Sequence, residues 1–115
     1  MIWRIRERRT FARLASEGQR TRAGLLWCTY LLDDDPRPSP PRVAFAIGRA
    51  QGSAVDRNRL RRRLRVLVDR ARLPSGSFLI GAAPGAGSRS STELQFDVTT
   101  MAGRIAGAVR GRSAP

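Results

Sequence analysis

Asp56–Arg65 reads "DRNRLRRRLR" and carries six arginines. Between Arg49 and Arg72, nine arginines face only Asp56 and Asp69, a local net charge of +7. Guanidinium groups at this density suit one kind of chemistry. Each presents a planar fork of donors that meets phosphate oxygens two at a time. On a helix that only has to stay soluble, exposed arginines usually alternate with Glu or Asp at i, i+4. Here Arg57, Arg61 and Arg65 stack on successive turns, and each like-charge pair costs about 0.2–0.5 kcal/mol. A bound polyanion relieves that cost.

Composition excludes much other chemistry. There is no histidine, Cys28 is the one cysteine, and all 22 basic residues are arginine. Ser-His-Asp and Cys-His catalysis are therefore excluded, as is a zinc site of three or four Cys and His ligands. A disulfide within the chain is impossible. The choice of arginine over lysine says little, since a GC-rich coding sequence would produce it. The net charge of +13 says more, pointing to nucleic acid first and anionic membrane second. The longest apolar run, Ala23–Leu32, is too short to span a bilayer. "MIWRIRERRTF" has no apolar stretch behind its charge, so no secretory signal is expected. The expectation is a soluble, cytoplasmic chain with no membrane partner and no small-molecule substrate. It forms a single RNA-binding domain over residues 1–115, with 1–6 and 110–115 flexible.

The elements that must position the arginines follow from periodicity. Residues 8–17 fit a short helix, with Thr10 as N-cap, Phe11, Leu14 and Ala15 on one face, and Gly18 as the stop. Leu25–Leu32 reads as a strand. Asp33–Pro41 holds four prolines and is a loop; its three aspartates read as an exposed acidic tip rather than a metal site. In "RVAFAIG" (Arg42–Gly48), Val43, Phe45 and Ile47 point one way and Ala44, Ala46 and Gly48 the other. The small face is either tightly covered or a shallow trough. Leu60, Leu64, Leu67, Val68 and Ala71 then form a helical core stripe, so the arginine run is a helix with one buried side. Asp56 is placed to accept from its first free N–H groups. A strand at Ser77–Ala82 and a loop at Ala83–Ser91 follow. The last helix opens on a Thr92/Gln95 capping box and carries Leu94, Val98, Met101, Ile105 and Val109 inward. The fold class is α+β, a small mixed sheet packed with about three helices and room for one more short strand.

A helix-turn-helix reader needs a helix just before its recognition helix, and here a strand and a loop precede it. A membrane-surface helix would carry large aromatics on its apolar face. Structured RNA is the better fit, with Asn58 able to read base edges or 2′-hydroxyls.

"AVDRNRLRRRLR" (Ala54–Arg65) resembles the signature of the protein subunit of bacterial ribonuclease P. Arg57, Asn58 and Arg59 match its Arg-Asn-Arg triplet, Arg61 and Arg62 its basic pair, and Arg65 its last arginine. "RVAFAIGRAQGSAV" is similar to the strand and loop before that signature, and Phe11, Gly18 and Arg20 to an N-terminal pattern. The resemblance spans roughly residues 5–109. It implies a ribosomal-protein-like domain with a left-handed βαβ crossover. It also implies a division of labour: a catalytic RNA subunit carries Mg²⁺ and cuts the 5′ leader from precursor tRNA, while the protein binds that RNA and the single-stranded leader. No catalytic residue, metal site or cofactor is then expected in the protein itself. RNA binding falls to Arg49, Arg57, Asn58, Arg59, Arg61, Arg62 and Arg65. A leader cleft falls to Phe11, Ala44, Ala46, Gly48 and Arg49, with Trp27 or Tyr30 as alternative aromatic partners. Three positions depart from the family near that cleft: Ala15 replaces a common aromatic, Ala50 a cation and Ala83 a frequent arginine. The alternative is a structural, ribosome-associated RNA-binding protein with no leader site.

Overall fold

The computed structural model describes residues 1–35 and 37–113. Pro36 of the acidic loop, and residues 114–115 of the tail expected to be flexible, lie outside them. The strands are β1 (Trp3–Arg4), β2 (Gln19–Ala23), β3 (Leu26–Leu32), β4 (Arg42–Ala46) and β5 (Gly76–Ala82). The helices are α1 (Arg8–Glu17), α2 (Ala54–Ala71) and α3 (Ser91–Ser113). Single 3₁₀ turns at Arg49–Gln51 and Ala86–Ser88 precede α2 and α3.

One mixed sheet runs in the order β1-β4-β5-β3-β2. β4 pairs parallel with β5 and with β1; β3 pairs antiparallel with β5 and β2. Parallel neighbours need a crossover, and α2 provides it between β4 and β5. The register places Val43, Phe78 and Tyr30 in one cross-strand row and Phe45, Ile80 and Cys28 in the next. These side chains meet Leu60, Leu64 and Val68 of α2 and Leu94, Val98, Met101 and Ile105 of α3 in one core. Each such burial stabilises by about 1.5–3 kcal/mol, far more than the arginine repulsion on α2 costs. α1 packs on the opposite face against β3 and β5, and its Leu14 is buried there.

The starts of α2 and α3 differ from the expected ones for one shared reason. Ser53 caps α2: its hydroxyl accepts from the Asp56 N–H, and Asp56 accepts in return from the Ser53 N–H at 3.1 Å. Ser90 and Glu93 make the same exchange ahead of α3. A serine three residues before an acid therefore starts each helix earlier than Asp56 or Thr92 would. The serine hydrogen bonds hold the Asp56 and Glu93 carboxyls below their ordinary range. α1 opens at Glu7 without a side-chain cap, leaving Thr10 inside the helix; Gly18 ends it as expected.

Two strands escaped the periodicity. β1 has only two residues, within the stretch 1–6 expected to be loose, yet the Trp3 N–H donates to the Pro41 carbonyl at 2.8 Å. β2 reads "QRTRA", whose charges suit an exposed sheet edge.

Gly103 sits on the exposed side of α3, and nothing lies within 4 Å of where a Cβ would stand. Gly103→Ala should stabilise the protein by about 0.5–1 kcal/mol, because glycine lowers helix stability by that amount. Urea unfolding of the two proteins would measure the shift, and a destabilised variant would contradict it.

Candidate nucleic-acid interface

The α2 arginines do not form one uniform face. Arg61 donates to the Ile47 carbonyl at 3.0 Å and to Asn58 Oδ1 at 2.9 Å, which ties it to the end of β4. Arg65 lies over the Phe45 ring, 5.7 Å from its centroid. Arg57 belongs to the same i, i+4 row; it is half-buried, and its Nε is enclosed without a partner. Arg63 turns the other way and donates to the Gly87 and Arg89 carbonyls at 3.1 and 2.6 Å. It therefore holds the Ala86–Ser88 turn against α2. Asn58, Arg59 and Arg62 are exposed, and the Arg62 side chain has no hydrogen bond or ion pair among the described residues. Arg49 is exposed on the preceding loop, which Gln51 pins by donating to the Ala82 and Ala83 carbonyls at 2.9 and 2.8 Å.

The other face of the sheet carries a groove of about 370 Å³ beside α1. Its walls include Phe11 and Ala15 of α1, Arg20 and Arg22 of β2, and Trp27, Thr29 and Leu79. Register explains the floor. Arg22, Trp27, Gly81 and Ala46 lie side by side on four strands; Arg20, Thr29, Leu79 and Ala44 form the adjacent row. The Trp27 ring rests directly on Gly81, where any Cβ would overlap it. Tyr30 takes the other face, stacked on Phe78 with centroids 6.1 Å apart. Of the two alternative aromatics, only Trp27 reaches the groove.

Phe11 is 38 % exposed at that groove. Ala44 is half-buried, while Ala46 and Gly48 are exposed, and no atom lies within 4 Å of a Cβ at Gly48. These three do not wall the groove; they carry its floor on towards Ile47 and the Arg61 contact. Arg49 stands apart from the groove walls. Arg22 and Gly81 went unread in the sequence. An isolated glycine inside a strand was the available signal, since it marks a close approach.

Several acidic groups are engaged in structure. Asp33 accepts from Arg42 at 2.7 Å, Asp35 pairs with Arg37, and the buried Asp97 pairs with Arg89 at 3.0 Å. Among the described residues, no three Cys, Asp or Glu side chains converge as metal ligands. Burial pushes the Cys28 thiol up to about 12, so it stays protonated at neutral pH and is a poor nucleophile. None of the described helices is long and apolar enough to cross a membrane.

A family model for ribonuclease P matches residues 2–106. The chain belongs to the ribonuclease P protein family. It is 38% identical to the ribonuclease P protein component of Streptomyces griseus, over 90% of this chain and 92% of that one. It is 33% identical to the component from a Nocardioides species, over 94% and 95% of the two chains. Among solved structures, the Thermotoga maritima RNase P protein matches with a TM-score of 0.75 at 19% identity, over 89% and 96%. A Staphylococcus aureus RNase P protein mutant matches with 0.77 at 17%, over 91% and 88%. As a ribonuclease P protein, the chain is the protein subunit of a ribonucleoprotein enzyme, and RNA binding and tRNA processing come with that family.

Within this ribonuclease P protein, Arg62 and Arg63 are adjacent in sequence but differ in what they hold. Arg63→Ala should cost about 1–3 kcal/mol of stability by removing two charged hydrogen bonds. Arg62→Ala should stay within about 0.5 kcal/mol of the parent and weaken RNA binding. Thermal melts and RNA titrations on the two variants separate these outcomes.

Proposed function

We propose that α2 docks the protein on the catalytic RNA of ribonuclease P, and that the sheet face beside α1 receives the single-stranded leader of precursor tRNA. The observation that carries this reading is the cross-strand row from Trp27 through Gly81 to Ala46, which ends beside Arg61. A floor of small residues at Ala46 and Gly48, with an aromatic at one end of the row and guanidinium groups at the other, suits a single strand. Bases stack on the ring and phosphates meet the cations. Phe11 and Trp27 both wall the groove, so Trp27 supplies the second aromatic that Ala15 on α1 does not.

The protein contributes binding, orientation and charge. Mg²⁺ enters through the RNA subunit, where it supplies activated water and stabilises the charge of phosphodiester hydrolysis. The protein and its RNA work together in the cytoplasm.

Reconstitution tests this. The protein alone should leave precursor tRNA intact, and added to the catalytic RNA it should raise cleavage at low Mg²⁺. An unchanged rate and an unchanged Mg²⁺ requirement would refute the assignment. Precursor tRNA should bind the holoenzyme more tightly than mature tRNA. Trp27→Ala should remove about 1–3 kcal/mol of that difference if a base stacks on the indole. Affinity for RNA should fall about a thousandfold or more between roughly 50 and 200 mM salt if six or more phosphates are contacted.

A further inference from the structure

The groove has a second cationic end, remote from α2. Arg20 and Arg22 project from β2, the outer strand of the sheet, onto the groove face. Arg104 reaches the same edge from α3 on the opposite face, and its guanidinium donates to the Arg22 carbonyl. One donor is used that way, and the fork retains others. All three side chains are exposed. Neither Arg20 nor Arg22 has a side-chain hydrogen bond or ion pair among the described residues. Acids close by in the fold are already engaged. Glu17 pairs with Arg13, and Asp97, in contact with Gly24 at the β2–β3 turn, pairs with Arg89.

We infer that Arg20, Arg22 and Arg104 form a phosphate clamp for the 5′-distal part of the leader. The inference rests on the leader reading above and adds a direction to it. Arg22 and Ala46 are three strand spacings apart, roughly 14 Å. On that reading the α2 end of this track lies against the catalytic RNA, which cuts at the scissile phosphate. The leader nucleotides next to that phosphate therefore occupy the Ala46–Arg61 end. Nucleotides farther 5′ cross Trp27 and leave over β2. A short leader stops before the clamp, and a long one reaches it.

Charged residues on an edge strand also guard against sheet-to-sheet pairing, and the experiment separates the two roles. Holoenzyme is reconstituted with wild-type protein, Arg20→Ala/Arg104→Ala, Arg20→Lys/Arg104→Lys and Trp27→Ala. Dissociation constants are measured for precursors with leaders of about two and about ten nucleotides, below and within the span of single-strand tracks. The wild type should favour the long leader. In the double alanine variant that preference should shrink by about fivefold to tenfold, and the long-leader salt slope should flatten by about 0.7 for each phosphate no longer neutralised. The double lysine variant should keep most of the preference, which excludes misfolding as the cause. A double alanine variant with wild-type preference overturns the clamp, whether or not it self-associates. If Trp27→Ala loses the preference in the same experiment, the groove reading survives that failure. Equal weakening for short and long leaders also overturns the clamp, and assigns the arginines to the catalytic RNA. No leader preference in the wild type would defeat both readings.

Discussion

The parallel pairing of β4 with β5 at the centre of the sheet governs the arrangement of everything else. Two parallel neighbours cannot be joined by a turn, so the chain must leave the sheet and return as α2. That helix is pressed on the core through Leu60, Leu64 and Val68, which sets its rotation. Once the rotation is set, the arginines have defined directions: Arg61 and Arg65 towards β4, Arg63 towards the Ala86–Ser88 turn. α1 covers part of the other face of the sheet, with the groove beside it.

Charge is allocated in a similarly uneven way. With 22 basic and nine acidic side chains, the acids cannot neutralise the surface, and several serve the fold instead. Asp56 and Glu93 close helix starts, Asp33 holds Arg42, and Asp97 holds Arg89 where α3 meets the β2–β3 turn. The cations left over are therefore distributed by the same packing that engages the acids.

The sequence made the long amphipathic elements legible because burial imposes a period on them. The stripe Leu60–Leu64–Val68 and the alternation Val43–Phe45–Ile47 both lie inward as read. β1 and β2 were hidden for opposite reasons: Trp3–Arg4 is too short to show a period, and "QRTRA" lies at the sheet edge with little to bury. Helix starts were misplaced because Thr92 and Asp56 are good cap residues competing with better-placed serines. At the interface, residue type announced the arginines, but not that Arg63 bonds to backbone carbonyls. Nor could parity alone choose Trp27 over Tyr30. That choice came from the register of β3 against β5 and from Gly81 beneath the indole.

The double grip of Arg63 on the Gly87 and Arg89 carbonyls also has a mechanical side. Arg89 is itself fastened to Glu93 and Asp97 of α3, so a chain of short polar links runs from α2 into the start of α3. Below those links the two helices share a close-packed core, which yields little under load. A load placed on α2 is thus carried by two helices and the sheet together. The arginine-bearing face is a bracket bolted at several points rather than a lone helix free to roll on the core.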